Sequence, residues 1–167
     1  MPPSPTSFDH QRSARRDLWV WAMLLVGAMF ILTAHTVDPL KNCDEGGNCA
    51  SWLVPIAGII GWSALAMALG LLVVNPNRGC RIDSLTGDLL WWQDRTLRSE
   101  GNTGRIHPSR IARIRVDLRG DSDSVSLYDV DGERLAWFDE TTIPWPYDRW
   151  AARFHRAYPH ILLDKLE

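Results

Sequence analysis

Residues 50–74 read ASWLVPIAGIIGWSALAMALGLLVV, and they decide the architecture because no side chain among them is charged. An α-helix rises about 1.5 Å per residue, so roughly 20 apolar residues cross the hydrocarbon core of a bilayer. A second uncharged run, residues 18–34, reads LWVWAMLLVGAMFILTA. The sequence therefore predicts a membrane α-hairpin of two transmembrane helices over residues 17–75, with a short periplasmic loop at residues 36–51.

The first run has a second interpretation, as a cleaved signal peptide. Arg12, Arg15 and Arg16 would form its basic region and residues 18–32 its apolar region. However, the run is longer than the usual apolar region of a signal peptide, and the Thr-Ala-His sequence at residues 33–35 is a poor cleavage site. Retention as a membrane helix is the favoured interpretation.

Charged residues flank the two runs unequally. The three arginines precede the first run, and Arg78 and Arg81 follow the second, whereas the loop combines Lys41 with Asp38, Asp44 and Glu45. Cytoplasmic loops carry the excess of basic residues in membrane proteins. We therefore expect a multi-pass protein of the bacterial inner (plasma) membrane, with both termini in the cytoplasm.

The cysteines support the same topology. Cys43 and Cys49 lie in the loop and are separated by a segment with two glycines, which is pliable enough for a disulfide to close. Disulfides persist in oxidising compartments such as the periplasm. Free thiols or a metal site are the alternatives, although two thiols alone make an incomplete zinc site. Cys80 lies beyond the second run and is expected to stay reduced and buried.

Two further features concern the ends of the hairpin and its packing. Residues 1–16 form a polar segment that begins rich in proline and serine, and we expect a disordered cytoplasmic tail there. Small residues recur four apart in the second run, and this spacing lets helices approach closely. The first helix of the same hairpin is the natural partner, and homo-oligomerisation is the alternative. The small residues are Ala57, Gly61, Ala64, Ala66, Ala68 and Gly70.

From residue 76 to residue 167 the hydrophobic pattern alternates, which is typical of strands. Turn sequences at residues 85–88, 99–104, 120–123 and 131–132 separate predicted strands at residues 80–83, 89–92, 110–119, 125–128 and 135–138. Residues 147–158 carry aromatic side chains at helical spacing and arginines on the opposite face. The sequence thus predicts a small cytoplasmic α+β domain, an antiparallel sheet capped by a C-terminal amphipathic helix.

These short strand pairs, the basic strand, the turn at Asp131-Gly132 and the aromatic helix Tyr147–Tyr158 give the domain a family resemblance. Residues 78–163 resemble a pleckstrin-homology-like (PH-like) domain in pattern. The whole chain is similar to bacterial inner-membrane proteins in which a two-helix transmembrane hairpin precedes a PH-like domain. The resemblance implies a seven-stranded half-open barrel that the helix caps.

Candidate chemical sites are few. Residues 129–132 read Asp-Val-Asp-Gly and begin like a calcium loop, but a strand pattern occupies the positions where further ligands would follow, so a tight turn is favoured. His107, His155 and His160 have no metal-binding spacing. The sequence has no nucleophile elbow and no phosphate-binding glycine loop. We therefore expect no enzyme activity, no catalytic residue, no cofactor and no metal.

A basic strand face is the best candidate for binding. Alternation places several of five arginines on one face, where they could contact anionic lipid or a partner protein. The alternative is a solvated face whose arginines pair with nearby aspartates. From residue 76 onward, 14 Lys/Arg stand against 15 Asp/Glu, so nucleic-acid binding is disfavoured. The arginines are Arg105, Arg110, Arg113, Arg115 and Arg119.

Trp91 and Trp92 are adjacent and cannot face the same side of a strand. One of them, Trp92, is therefore a second candidate for contact with anionic lipid or a partner protein. Three functions follow as hypotheses. The first is a non-enzymatic membrane protein whose cytoplasmic domain binds an unidentified protein, in an accessory, assembly or regulatory role. The others are a domain that binds anionic lipid and a membrane-resident protein that gives immunity to a toxin.

Overall fold

The computed structural model describes residues 8–43, 47, 49–119 and 123–166. They form two compact units, Ala14–Asn75 and the described residues on either side of it. The structure confirms the mixed α+β content and the two long apolar helices. The helices are α1 (Leu18–Thr36), α2 (Leu53–Val74) and α3 (Tyr147–Ala157). The strands are β1 (His10–Ser13), β2 (Asn77–Ile82), β3 (Leu89–Arg95), β4 (Asn102–Ile106), β5 (Ile111–Asp117), β6 (Ser124–Asp129) and β7 (Leu162–Leu166).

Helices α1 and α2 pack against each other through small residues. A Cβ atom on Gly61 would lie 2.9 Å from the carbonyl oxygen of Gly27 and 2.9 Å from the backbone nitrogen of Ile31. Ala68 is fully buried one step further along the same seam. The predicted use of small residues of the second helix against the first is therefore confirmed at Gly61 and Ala68, because only residues without bulk permit such a close approach.

The two ends of the hairpin that come together are tied by hydrogen bonds. Asp17 caps α1 by accepting from the backbone nitrogen of Trp19 at 3.0 Å. Arg15 donates from Nε to the carbonyl oxygen of Leu72 at 3.0 Å, and its backbone nitrogen donates to Oδ1 of Asn75 at 3.2 Å. These bonds satisfy backbone groups that a helix end otherwise leaves without partners.

Both long helices are apolar on all sides. The most apolar stretches of α1 and α2 have mean hydropathies of 1.9 and 2.2, yet only 11% of each stretch is buried within the protein. Trp19, Trp21 and Trp52, near helix ends, are exposed. Each helix is long and apolar enough to cross a membrane, and its outward side chains have no protein covering among the described residues.

The first sheet has the strand order β1-β2-β3-β4, with every neighbouring pair antiparallel. The predicted hairpin of β2 and β3 is confirmed, and Gly87 adopts a positive φ of 74° in its turn. Strand β1 differs from the disordered tail expected for residues 1–16, of which residues 1–7 lie outside the described residues. Phe8 anchors this segment because its buried ring lies 5.2 Å from that of Phe154.

A glycine allows β1 to join the sheet. Gly79 lies opposite Gln11 in the register, and a Cβ atom on Gly79 would overlap the carbonyl oxygen of His10. A polar four-residue strand such as β1 has no apolar alternation, so its sequence did not reveal it. Backbone pairing with β2 and burial of the Phe8 side chain hold this strand in place.

The second sheet has the order β6-β5-β7. The predicted antiparallel pairing of β5 with β6 is confirmed. The domain does not end with its helix, because α3 ends at Ala157 and the chain continues into β7, which pairs parallel to β5. This arrangement differs from the expected antiparallel sheet with a terminal helical cap. Ile161 is fully buried after the Pro159 turn and leads the chain back to the sheet.

The prediction of a strand at residues 135–138 is wrong. Arg134 forms one isolated bridge with Tyr128, and the chain then turns, with Trp137 at a positive φ of 62°. Part of this apolar run packs in the hydrophobic core and does not pair in a sheet. Phe138 is buried edge-to-face against Trp91 at 5.8 Å, and the Nε1 of Trp91 donates to the carbonyl oxygen of Ala136 at 3.0 Å.

The core of this domain lies between the sheets and α3. Trp150 and Phe154 stack with ring centroids 5.0 Å apart, and Phe138 contacts Trp150 at 5.8 Å. Ala151 is fully buried on the same helix face. The predicted amphipathic helix and its aromatic inner face are thus confirmed, and its arginines are left on the outside.

Candidate interaction surfaces

Two arginines of the predicted basic strand face are paired with carboxylates in their own sheet. Arg115 on β5 donates from Nε to Oδ2 of Asp164 on β7 at 3.1 Å, and its guanidinium lies 5.8 Å from the ring centroid of Tyr128. Arg119 binds Asp117 through two hydrogen bonds of 3.2 Å. Those hydrogen bonds from Arg119 lower the pKa of the Asp117 carboxyl.

Two of the remaining three arginines are also paired with aspartates, and the third is not. Arg110 lies 3.6 Å from Asp131, and Arg105 pairs with Asp88, whose pKa falls because Arg105 donates a hydrogen bond to its carboxylate. Arg113 is exposed and has no ion pair within the described part of the chain. Four of the five candidate arginines are therefore paired, as the solvated-face interpretation predicts.

Trp92 is not the exposed contact that the sequence favoured. It is 8% exposed, and Trp91 on the other face of β3 is buried in the core. The indole of Trp92 lies beside Gly79, whose missing side chain leaves room for it. Instead, two tryptophans in the segment between β6 and α3 are exposed, Trp137 at 55% and Trp145 at 76%.

The three cysteines occupy two different chemical settings. A disulfide joins Cys43 and Cys49, as expected. Cys80 is a free, buried thiol, and burial raises its pKa to about 12. A thiol with such a pKa is almost entirely protonated at neutral pH and reacts slowly.

Each histidine of the domain singled out by the sequence meets a local acceptor or hydroxyl. Nδ1 of His155 lies 2.7 Å from the carbonyl oxygen of Ile161, and Nδ1 of His107 lies 2.7 Å from Oγ of Ser109. His160 lies 3.1 Å from the carbonyl oxygen of Pro108. Among the described residues, no three His, Cys, Asp or Glu side chains come together as metal ligands.

The Asp129-Val130-Asp131-Gly132 segment forms the predicted turn. Oδ1 of Asp129 accepts hydrogen bonds from the backbone nitrogens of Asp131 at 3.0 Å and Glu133 at 2.9 Å. Gly132 adopts a positive φ of 83°, which favours glycine. The carboxylate of Asp129 therefore organises the backbone of its own turn.

Sequence reasoning missed a surface on the outer face of α3. Arg149, Arg153 and Arg156 are exposed and line a cavity of about 450 Å³ together with Trp145. We call this surface the arginine groove, and the cavity is also lined by Pro146, Asp148 and Ala152. The signal was visible in the sequence, because arginines at positions i, i+4 and i+7 fall on one helix face.

No known protein family, curated protein or solved structure matches this chain.

Proposed function

We propose that this chain is a non-enzymatic integral membrane protein that holds a protein-binding domain at the cytoplasmic face of a bacterial inner membrane. The observation that carries the proposal is the low burial of two strongly apolar helices, 11% in each. A helix in the core of a water-soluble protein buries its apolar face against other elements. Lipid is the environment that covers a helix that is apolar all round.

The orientation rests on two independent features. Arginines lie just before α1 and in the first strand after α2, and the loop between the helices holds the disulfide. Basic residues favour the cytoplasmic side and disulfides favour the periplasmic side. Both features support a cytoplasmic location for the termini and the α+β domain.

Thiol labelling of intact cells tests this topology. After reduction of the disulfide, a membrane-impermeant maleimide is expected to modify Cys43 and Cys49 and to leave Cys80 unmodified. Cys80 should react only after the membrane is opened and the domain is unfolded, since the folded thiol is buried and its pKa is raised to about 12. The readout is the mass of each cysteine-containing peptide.

A Cys80→Ala variant serves as the control and should give the labelling of the loop cysteines unchanged. If the loop cysteines were protected in intact cells, the proposed orientation would be wrong. If the protein stayed in the supernatant after high-speed centrifugation without detergent, membrane insertion itself would be refuted.

Protein binding is supported by the exposed aromatic side chains of the domain. Tryptophan and arginine are enriched at protein interfaces and dominate their binding energy. Trp137 and Trp145 are both exposed in one connecting segment, while four of the five arginines of the predicted basic face are paired with aspartates. This favours a protein partner over anionic lipid bound by the β5 face.

Copurification from mild detergent tests this part of the proposal. The wild-type chain should retain a partner in fixed stoichiometry, and a Trp137→Ala/Trp145→Ala variant should lose it. A Leu85→Ala/Leu97→Ala variant is the matched control, because those apolar side chains lie on other loops and are even more exposed. A partner bound equally by both double variants would rule out the aromatic segment as the binding surface.

We also propose a relation to PH-like domains. Seven described strands in two sheets and a helix with an aromatic inner face support it. The parallel strand β7 after the helix distinguishes this chain from the arrangement that the resemblance implies.

A further inference from the structure

We propose that the arginine groove on α3 binds an extended acidic segment of the partner protein, with carboxylates on the arginines and an apolar side chain against Trp145. This inference rests on the proposed function and names the chemistry of the partner. It concerns a surface on α3, different from the predicted basic face that carries Arg115 and Arg119.

The charge of the groove is not balanced by the residues that the structure describes. Arg149, Arg153 and Arg156 have no ion pair within the described part of the chain. The one acidic side chain in the lining, Asp148, lies 4.0 Å from Lys165. Several other arginines of the domain are held by aspartates, as at Arg78 with Asp94 at 2.7 Å. The groove is therefore a local excess of positive charge on a domain without one overall.

The spacing of the arginines suits an extended chain. A helix rises about 1.5 Å per residue, so the α-carbons of Arg149, Arg153 and Arg156 follow one another at steps of about 6 Å and 4.5 Å along the axis. Side chains on one face of an extended strand repeat at about 6.6 Å. Carboxylates at alternate positions can therefore each reach one guanidinium, with which charge-assisted bidentate hydrogen bonds form.

The groove also has an apolar end. Trp145, 76% exposed, precedes the first turn of α3 and lines the cavity with Pro146 and the aliphatic Ala152. An exposed indole beside a basic face is a typical anchor for an apolar side chain of a partner. The combination predicts a segment in which acidic residues alternate with others and one apolar residue flanks them.

The shape of the surface favours a peptide over a membrane. The arginines and Trp145 line a half-open depression of about 450 Å³, a size that suits a single extended chain. Asp148 in the lining would also repel an anionic surface, whereas a peptide can place a neutral or basic residue beside it.

Peptide binding to the full chain in nanodiscs of neutral lipid tests the inference. The probe is a fluorescein-labelled peptide with three glutamates at alternate positions and one leucine at its end, and fluorescence anisotropy reports binding. Replacing Arg149, Arg153 and Arg156 by glutamine should weaken binding by about tenfold or more, since each lost charge pair removes a favourable contact. Raising the salt from about 0.1 M to about 1 M should also weaken it, because the screening length falls from about 10 Å to about 3 Å.

A second triple variant provides the matched control. Arg81, Arg98 and Arg134 are exposed on other surfaces, and their replacement by glutamine removes the same net charge. Binding by this variant should stay within about twofold of wild type, because these three arginines do not line the groove. Equal loss in both triple variants, or no binding of the glutamate peptide by the wild type, would overturn the inference.

Anionic lipid provides the competing occupant. If phosphatidylglycerol in the nanodisc abolished peptide binding while neutral lipid permitted it, the groove would belong to lipid headgroups and the inference would be wrong. Failure of the inference is distinguishable from failure of the proposed function. If the Arg149/Arg153/Arg156 triple variant still copurified with the partner, the proposed function would stand. Only the assignment of the groove as the binding surface would be wrong.

Discussion

The Gly104→Val variant is expected to lose the folded α+β domain under conditions in which the wild type is stable. A Cβ atom on Gly104 would overlap the Cζ2 and Cε2 atoms of the Trp91 indole. That indole cannot move away, because it is buried, donates to the carbonyl oxygen of Ala136 and packs against Phe138. Overpacking a well-filled core costs about 1–3 kcal/mol, and we expect the upper end or more because valine adds bulk beyond its Cβ.

Thermal unfolding of the full chain in detergent, followed by tryptophan fluorescence and by protease resistance of the domain, measures this effect. A Thr103→Val variant is the control, since Thr103 neighbours Gly104 on β4 and is exposed. Its free energy of unfolding should change by no more than about 0.5 kcal/mol, as for most surface substitutions. A Gly104→Val protein that melts with the wild type would show that the Trp91 contact does not constrain the sheet.

The sequence predicted those parts of the fold that hydrophobic periodicity encodes. The helices α1 and α2 are continuous apolar runs, and α3 has an apolar face at helical spacing, so each was found within a few residues. Strands β3, β5 and β6 carry their own alternation or apolar run and were also found. Such patterns are local, and a single sequence displays them directly.

The parts that were missed depend on residues distant in the chain. Strand β1 is polar and exists because β2 offers an edge and Phe8 reaches the core. The run at residues 135–138 has the composition of a strand. However, the Phe138 ring packs against Trp91, and the carbonyl oxygen of Ala136 accepts a hydrogen bond from the Trp91 indole. Tertiary contacts override a local strand preference in this way.

The candidate site shows the same division. Sequence alternation placed Arg115 on a strand face, but its partner Asp164 lies 49 positions away on β7, a strand that was not predicted. Whether an arginine is free or paired is a tertiary property, so the sequence left both interpretations of the β5 face open. The outer face of α3 was legible as a stripe of arginines, but only the exposure of Trp145 and the cavity beside it distinguish that stripe from an ordinary solvated helix.

Separation of α1 from α2 is the expected result of replacing Gly61 by isoleucine. The Cβ atom would lie 2.9 Å from the carbonyl oxygen of Gly27 and 2.9 Å from the backbone nitrogen of Ile31. These are backbone atoms of a helix, which cannot adjust as a flexible side chain can, so the helices must move apart along the seam. The close packing that replaces a hydrophobic driving force within a bilayer is then lost.

A cysteine pair can report the packing. A Cβ atom on Gly58 would lie 3.3 Å from the Cβ of Ala34, close to the separation of about 3.8 Å found in disulfides. In a chain with Cys43 and Cys49 changed to serine, the Ala34→Cys/Gly58→Cys pair should form a disulfide in bilayer nanodiscs. Cleavage after Lys41 by a lysine-specific protease then leaves the two helices joined through it.

Adding Gly61→Ile to this background should reduce the joined product to the level of a non-oxidised sample. The control is Gly70→Ile, the same substitution on the same helix, because a Cβ atom on Gly70 meets nothing within 4 Å. That variant should cross-link like its parent. If both isoleucine variants cross-linked fully, then Gly27 and Gly61 would not set the distance between the helices. If Gly70→Ile alone failed to cross-link, the outward face of α2 would have a packing role that the hairpin seam does not explain.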